Sequence, residues 1–249
     1  MKALITGASS GIGRDMARYL ASMNIDLILV ARRKNRLNEL KKELDVNVEV
    51  VEMDLNIENN LYKLFDNYKD IDILINNAGF GLFGDFKDTS LDRELEMINI
   101  NIKAPHILTK LYLQEFVKKD AGYILNVCSS AGFMAGPKLN TYYATKNYLL
   151  KLSMAINEEL RQSKSNVSIS ALCPGPVDTE FNKVAKGSFT VKAATSEYVA
   201  RYAISKMFKK KMIIIPKNSM KLAIFGIRLL PYRLQLKTSY NIQKSKIEK

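Results

Sequence analysis

Seven short apolar runs alternate with longer stretches of helical period, and this alternation limits the fold more than any other feature of the chain. Residues 2–6, 26–31 (D-L-I-L-V-A), 48–53, 71–75 (I-D-I-L-I), 124–128, 167–173 and 212–215 read as strands. They are near-continuous in apolar residues, as strands buried on both faces are. Residues 12–22, 37–44, 57–68, 91–117, 141–163 and 195–209 read as helices, with Met16, Ala17 and Leu20 on one face of the first. The pattern predicts an α/β fold: a doubly wound parallel sheet of about seven strands with helices on both faces. There is no internal repeat and no linker-like segment, so 249 residues read as a single domain. Residues 1–216 form its body and residues 217–249 a C-terminal extension. In such a sheet, ligands bind beyond the carboxyl ends of the strands, where strand order reverses. The residues just after each strand are therefore the ones to inspect.

The first strand runs into T-G-A-S-S-G-I-G, Thr6 to Gly13, which opens a helix. Gly7, Gly11 and Gly13 remove side chains where backbone turns tightly and approaches a pyrophosphate. Ser9, Ser10 and Ile12 complete the loop, and the helix N-terminus adds free N–H groups and partial positive charge. The position after strand and before helix marks a dinucleotide site of Rossmann type. An acid ending the second strand would bind the ribose hydroxyls of NAD, but this strand ends in V-A-R-R. Ala31 stands in the place of the acid, and Arg32 and Arg33 follow. A guanidinium binds a 2′-phosphate through charge-assisted hydrogen bonds where a carboxylate would repel it. The missing acid favours NADP(H), with Arg33 and Lys34 also serving to start the next helix.

Charge and cysteine usage exclude other classes. The net charge is +13, but residues 201–249 hold 13 Lys/Arg and one acid, leaving 25 Lys/Arg and 24 Asp/Glu in residues 1–200. The body is balanced and the tail basic. No zinc-finger spacing or RNA-binding aromatic motif goes with that charge, so no nucleic-acid partner is expected. A membrane surface is a weaker alternative, since Pro231 limits a regular helix in the apolar stretch 218–236. No run approaches the roughly 20 apolar residues of a bilayer span. The opening residues are too short an apolar stretch for a signal peptide, and two cysteines make no disulfide framework, so the expected setting is cytoplasmic. Cys128 and Cys173 end neighbouring strands and are expected as buried free thiols. His106, the sole histidine, lies away from the motifs, and no cluster suggests a metal.

Further segments follow strand ends: M-D-L at Asp54, N-N-A-G at 76–79, N-V-C-S-S-A-G around Ser129, and C-P-G-P-V-D-T after the sixth strand. In order and spacing, together with T-G-x-x-x-G-x-G, they resemble the short-chain dehydrogenase/reductases of the classical type, over residues 1 to about 216. The resemblance implies hydride transfer between a nicotinamide and a carbonyl or alcohol. It also chooses among three Tyr-x-x-x-Lys matches, Tyr142/Lys146, Tyr202/Lys206 and Tyr240/Lys244. Only Tyr142 follows a strand end with a serine, and Lys146 lies one helical turn on. Tyr142 is then the acid/base, Lys146 its activator and Ser129 the carbonyl-binding hydroxyl, while Tyr143 packs or lines the pocket. A cation about 4 Å from Tyr142, at an effective dielectric near 20, is worth on the order of 4 kcal/mol toward lowering its pKa. In M-I-N-I-N-I-K, Asn101 is the expected fourth member and Asn99 the alternative. By the same resemblance Asp54 and Leu55 sit by the adenine, and Asn77, Ala78 and Gly79 pass the ribose. Pro174, Gly175, Val177 and Thr179 reach the nicotinamide end.

Substrate residues are expected around the variable loop 180–195, with Phe80, Phe83, Phe133, Met134, Leu139 and Phe181 as candidate walls for an apolar carbonyl or alcohol. Family members commonly pair through the helices at 91–117 and 141–163, which implies a homodimer or homotetramer. A catalytically idle dinucleotide-binding regulator and a membrane-surface reductase of lipid-like carbonyls are the rival readings.

Overall fold

In the computed structural model, which describes residues 1–181, 185 and 193–247, the expected strands form one seven-stranded sheet in the order β3-β2-β1-β4-β5-β6-β9. The strands are β1 Lys2–Thr6, β2 Asp26–Ala31, β3 Val48–Glu52, β4 Ile73–Asn76, β5 Tyr123–Val127, β6 Ser168–Leu172 and β9 Ile213–Ile214. All six pairings are parallel. The chain moves outward from β1 to β3, returns to β4 on the other side of β1, and moves outward again. Strand order therefore reverses between β1 and β4, and a crevice opens at their carboxyl ends. A small parallel pair, β7 Val177–Asp178 and β8 Ala194–Thr195, lies beside this end.

Alternate residues of each strand feed the two faces. Ala3, Ile5, Leu27 and Leu29 pack under Met16 and Leu20 of α1 (Gly11–Ala21), Leu37 and Leu40 of α2 (Lys34–Lys42), and Val199 and Met207 of α7 (Ser196–Phe208). Leu4, Ile28, Leu74 and Ile124 face Leu61 and Leu64 of α3 (Glu58–Asn67) and Leu108, Tyr112 and Phe116 of α5 (Ala104–Lys118). Burying both faces is what the near-continuous apolar strands require.

Two segments differ from the sequence reading. The helix expected over 91–117 is α4 (Leu91–Ile98) and α5, joined by a π-helical turn at Asn99–Lys103. Such turns occur frequently at functional sites, and the buried residue of this one is Asn101. The C-terminal extension forms α8 (Asn218–Arg228) and α9 (Tyr232–Ile247). Pro231 lies between them, and its carbonyl accepts from Leu234 and Gln235, so it begins α9 instead of breaking a helix. Helix α6 (Asn140–Gln162) follows β5 and a short 3₁₀ turn, Ser130–Phe133. Among the described residues, no helix is long and apolar enough to cross a membrane.

Candidate active site

A cleft of about 460 Å³ runs across the carboxyl end of the sheet. At one end it is lined by Ser9, Ser10, Gly11, Ala31, Arg32 and Arg33; in the middle by Gly7, Ile12, Asp54, Leu55, Asn77, Ala78 and Gly79. The far end holds Ser129, Tyr142, Lys146, Pro174, Gly175, Val177 and Thr179.

The glycine loop is shaped by contact with the segment after β4. Gly7 has φ +67°, in the left-handed region, and a Cβ on it would stand 2.8 Å from Ala78 Cα. Thr6 Oγ1 accepts from the backbone N–H groups of Asn77 and Ala78, and Asn77 Nδ2 donates to the carbonyls of Thr6 and Gly7. Gly11, φ +54°, lies under Thr179, with a hypothetical Cβ 2.9 Å from Thr179 Cγ2. Gly13 lies within α1 and does not line the cleft, but a Cβ there would strike Asn77 Nδ2 and the Gly7 carbonyl, so it permits the close helix–strand packing. Backbone is thereby brought close along a groove that an elongated phosphorylated ligand fits.

The arginines after β2 divide. Arg33 donates to Ser9 Oγ at 3.0 Å and Ser10 Oγ at 2.8 Å, and pairs with Glu180 at 2.8 Å. Arg36 also binds Glu180, and the two guanidinium groups hold that carboxyl down at about 2. Arg32 is 62% exposed and reaches Glu96 at 3.3 Å. Arg93, Glu96 and Glu180 also line this end of the cleft, and nothing in the sequence order brings them there.

Tyr142, near the start of α6, lies against Phe181 with ring centroids 5.2 Å apart. Ser129 follows β5 at the head of the 3₁₀ turn, and its Oγ accepts from Ala131 N–H, which fixes the turn. Lys146 is buried; its Nζ donates to the Val127 carbonyl at 2.8 Å and stands 5.8 Å from the Tyr142 ring centroid. Burial pushes the Tyr142 phenol up, with the Ser129 hydroxyl working against that, and burial pushes the Lys146 ammonium down. Both groups are desolvated, and the ammonium is turned to the Val127 carbonyl.

Asn101 is fully buried beneath the cleft and does not line it. Its Oδ1 accepts from Phe80 N–H at 3.1 Å, and its Nδ2 donates to the Phe80 carbonyl at 2.9 Å and to Thr145 Oγ1 at 3.1 Å. Thr145 in turn donates to the Tyr142 carbonyl. Gly79 leaves room for this, since a Cβ there would stand 2.9 Å from Asn101 Oδ1 and 3.3 Å from Lys146 Nζ. Asn99 instead binds Asn56.

Tyr143 lines the cleft, and its hydroxyl accepts from Gln243 of α9. Phe80, Leu139 and Phe181 line the cleft as expected walls. Phe133 does not; it packs with Cys128, Leu149 and Leu150, because the 3₁₀ turn directs it into that cluster. Phe83 packs with Leu139 and Ala185. Residues 182–184 and 186–192 of the expected substrate loop lie outside the described residues. Tyr202 and Tyr240 lie away from the cleft on α7 and α9. Cys128 and Cys173 are free and buried.

A family model described as short chain dehydrogenase matches residues 1–187. An uncharacterized oxidoreductase of Staphylococcus epidermidis is 32% identical over 185 residues, covering 73% of this chain and 80% of the relative. An NADP-dependent 3-hydroxy acid dehydrogenase of Schizosaccharomyces pombe is 36% identical over 191 residues, 73% of each. Among solved structures, a short-chain dehydrogenase from Sphingobium yanoikuyae in complex with NADPH superposes with a TM-score of 0.82 at 32% identity, over 91% of this chain and 93% of that one. One from Burkholderia phymatum in complex with NAD superposes with a TM-score of 0.83 at 21% identity, over 94% of this chain and 95% of that one, a likeness of fold.

Proposed function

The chain belongs to the short-chain dehydrogenase family, and from that premise we propose that it is an NADP(H)-dependent oxidoreductase of an apolar carbonyl or alcohol. The observation that carries this reading is the single cleft joining two arginines and two loop serines to Tyr142, Ser129 and Lys146. A nicotinamide cofactor bound along it supplies or takes the hydride. In the reductive direction the Tyr142 phenol gives a proton to the carbonyl oxygen, and Ser129 donates a hydrogen bond to that oxygen as charge develops. Lys146 holds positive charge behind the phenol. Asn101, through Thr145, fixes the backbone that carries Tyr142. Phe80, Leu139 and Phe181 form apolar walls for the substrate.

The 2′-phosphate reading rests on Ala31 in place of an acid, on Arg33 beside Ser9 and Ser10, and on the exposed Arg32 at the same end of the cleft; the NADP dependence named for the fission-yeast relative supports it. Arg32→Ala is expected to weaken NADPH binding by about 1–3 kcal/mol and to leave NADH nearly unchanged. Arg33→Ala is expected to weaken both cofactors, because Arg33 also holds the loop serines. Fluorescence titration of both cofactors checks this; equal losses for Arg32→Ala would remove it from the 2′-phosphate.

The reaction itself is tested by NADPH oxidation against carbonyls of graded chain length, with NADH as control. Turnover that improves with apolar length is the expected result. Tight NADPH binding with no turnover of any carbonyl would instead favour an idle dinucleotide-binding regulator. A homodimer or homotetramer through α4–α5 and α6 is part of the same proposal, and a monomer in sedimentation at micromolar concentration would refute that part.

A further inference from the structure

Helices α8 and α9 turn apolar side chains outward. On α8, Ile224 is buried and Met220 and Ile227 half-buried, whereas Leu222, Phe225 and Leu229 are 72%, 63% and 71% exposed. At 3.6 residues per turn these three share a stripe about 60° wide, with Lys221 and Arg228 along one edge. On α9 the buried positions are polar, Ser239 and Gln243, while Leu234, Leu236 and Tyr240 are exposed among Arg233, Lys237 and Lys244. An exposed apolar stripe such as Leu222–Phe225–Leu229 marks a docking face.

Charge identifies the occupant. Residues 217–247 contain seven Lys or Arg and no Asp or Glu. A second copy meeting this face across a two-fold axis would set cations against cations. An anionic bilayer accepts both features: Leu222, Phe225 and Leu229 enter the headgroup–acyl boundary, and the flanking cations meet the headgroups. At 11 and 16 residues, α8 and α9 are too short to span, so they lie on the surface. Pro231, which argued against a regular interfacial helix, stands at the turn between two of them.

We infer that α8 and α9 dock the protein on an anionic lipid surface. Both helices also touch the cleft: Met220 packs on Gly175, and Gln243 bonds Tyr143. Docking thus sets the substrate end of the cleft beside the lipid, the one consequence that rests on the carbonyl-reductase reading.

The test is sedimentation of the full-length protein with phosphatidylcholine vesicles, with and without phosphatidylserine. It is expected to pellet with the phosphatidylserine vesicles at low salt, to remain in the supernatant with phosphatidylcholine alone, and to be released as salt shortens the screening length. Leu222→Ser/Phe225→Ser/Leu229→Ser is expected to lower partitioning about ten-fold or more, with circular dichroism and NADPH binding unchanged. A protein that stays in the supernatant with phosphatidylserine vesicles overturns the inference. So does a triple variant that pellets as well as its parent, which would leave charge alone at work. A dimer in sedimentation velocity that the triple variant abolishes, without vesicle binding, assigns the face to a second copy and overturns it equally. Turnover of a water-soluble carbonyl is read separately, so loss of docking and loss of the enzymic reading are distinguished.

Discussion

Tyr142→Phe is expected to lower turnover by roughly 10³-fold or more and to leave NADPH binding within about two-fold, the scale of losing the general acid/base. The substitution removes one oxygen and keeps the ring against Phe181, so the fold is retained. The pH profile of the parent follows from the same residue. Burial raises the Tyr142 phenol above its usual range, so the protonated form persists through neutral pH. Reduction, which consumes that proton, is expected to be flat through neutral pH and to fall only on the alkaline side. Alcohol oxidation needs the phenolate and is expected to rise with pH and to be still rising beyond the ordinary tyrosine range near 10, because burial holds the phenol above it. In Tyr142→Phe both pH dependences vanish with the activity. Tyr143→Phe loses the hydroxyl's contacts with α9, the bond from Gln243 and the interaction with Ser239, each worth about 1 kcal/mol, and is expected to stay within a few-fold of parent turnover. Steady-state kinetics of the two variants decide the matter: a lethal Tyr143→Phe beside an active Tyr142→Phe would move the acid/base to the neighbouring residue.

What could be read from the letters was what local pattern dictates. Apolar strands of length four to seven and the glycine loop have short-range causes, and every expected strand is found, with ends shifted by no more than about two residues. The choice of Tyr142 rested on the family resemblance together with its order after Ser129. Features set by partners far along the chain were not legible. Propensity continues a helix through 99–103; the π turn accompanies bonds from Asn101 to Phe80, 21 residues away. Arg33 meets Glu180 across 147 positions. Charge counting alone considered Lys146 beside Tyr142, whereas the burial that raises the phenol is visible only in the fold. Phe133 was indistinguishable from a pocket wall until the turn after Ser129 directed it into the Leu149–Leu150 cluster.

Asn101→Ala is expected to cost about 2–4 kcal/mol of stability, a fall in Tm of roughly 5–15 °C for a chain of this size, together with a marked loss of turnover. The side chain is fully buried and satisfies both backbone groups of Phe80, so truncation strands an N–H and a carbonyl away from water. It also frees Thr145, whose hydroxyl ties the π turn to the Tyr142 carbonyl. One substitution thus loosens the wall residue Phe80 and the backbone of the acid/base at once. Asn99→Ala, in the same turn, loses a bond to Asn56 on the partly exposed side and is expected to stay within about 1 kcal/mol and a few-fold of parent turnover. A purely structural role for Asn101 predicts that turnover per folded molecule, measured well below the lowered Tm, matches the parent. A role in the reaction predicts that it stays low there. Parent-like stability in Asn101→Ala, or a larger loss in Asn99→Ala, would show that these hydrogen bonds do not hold the site.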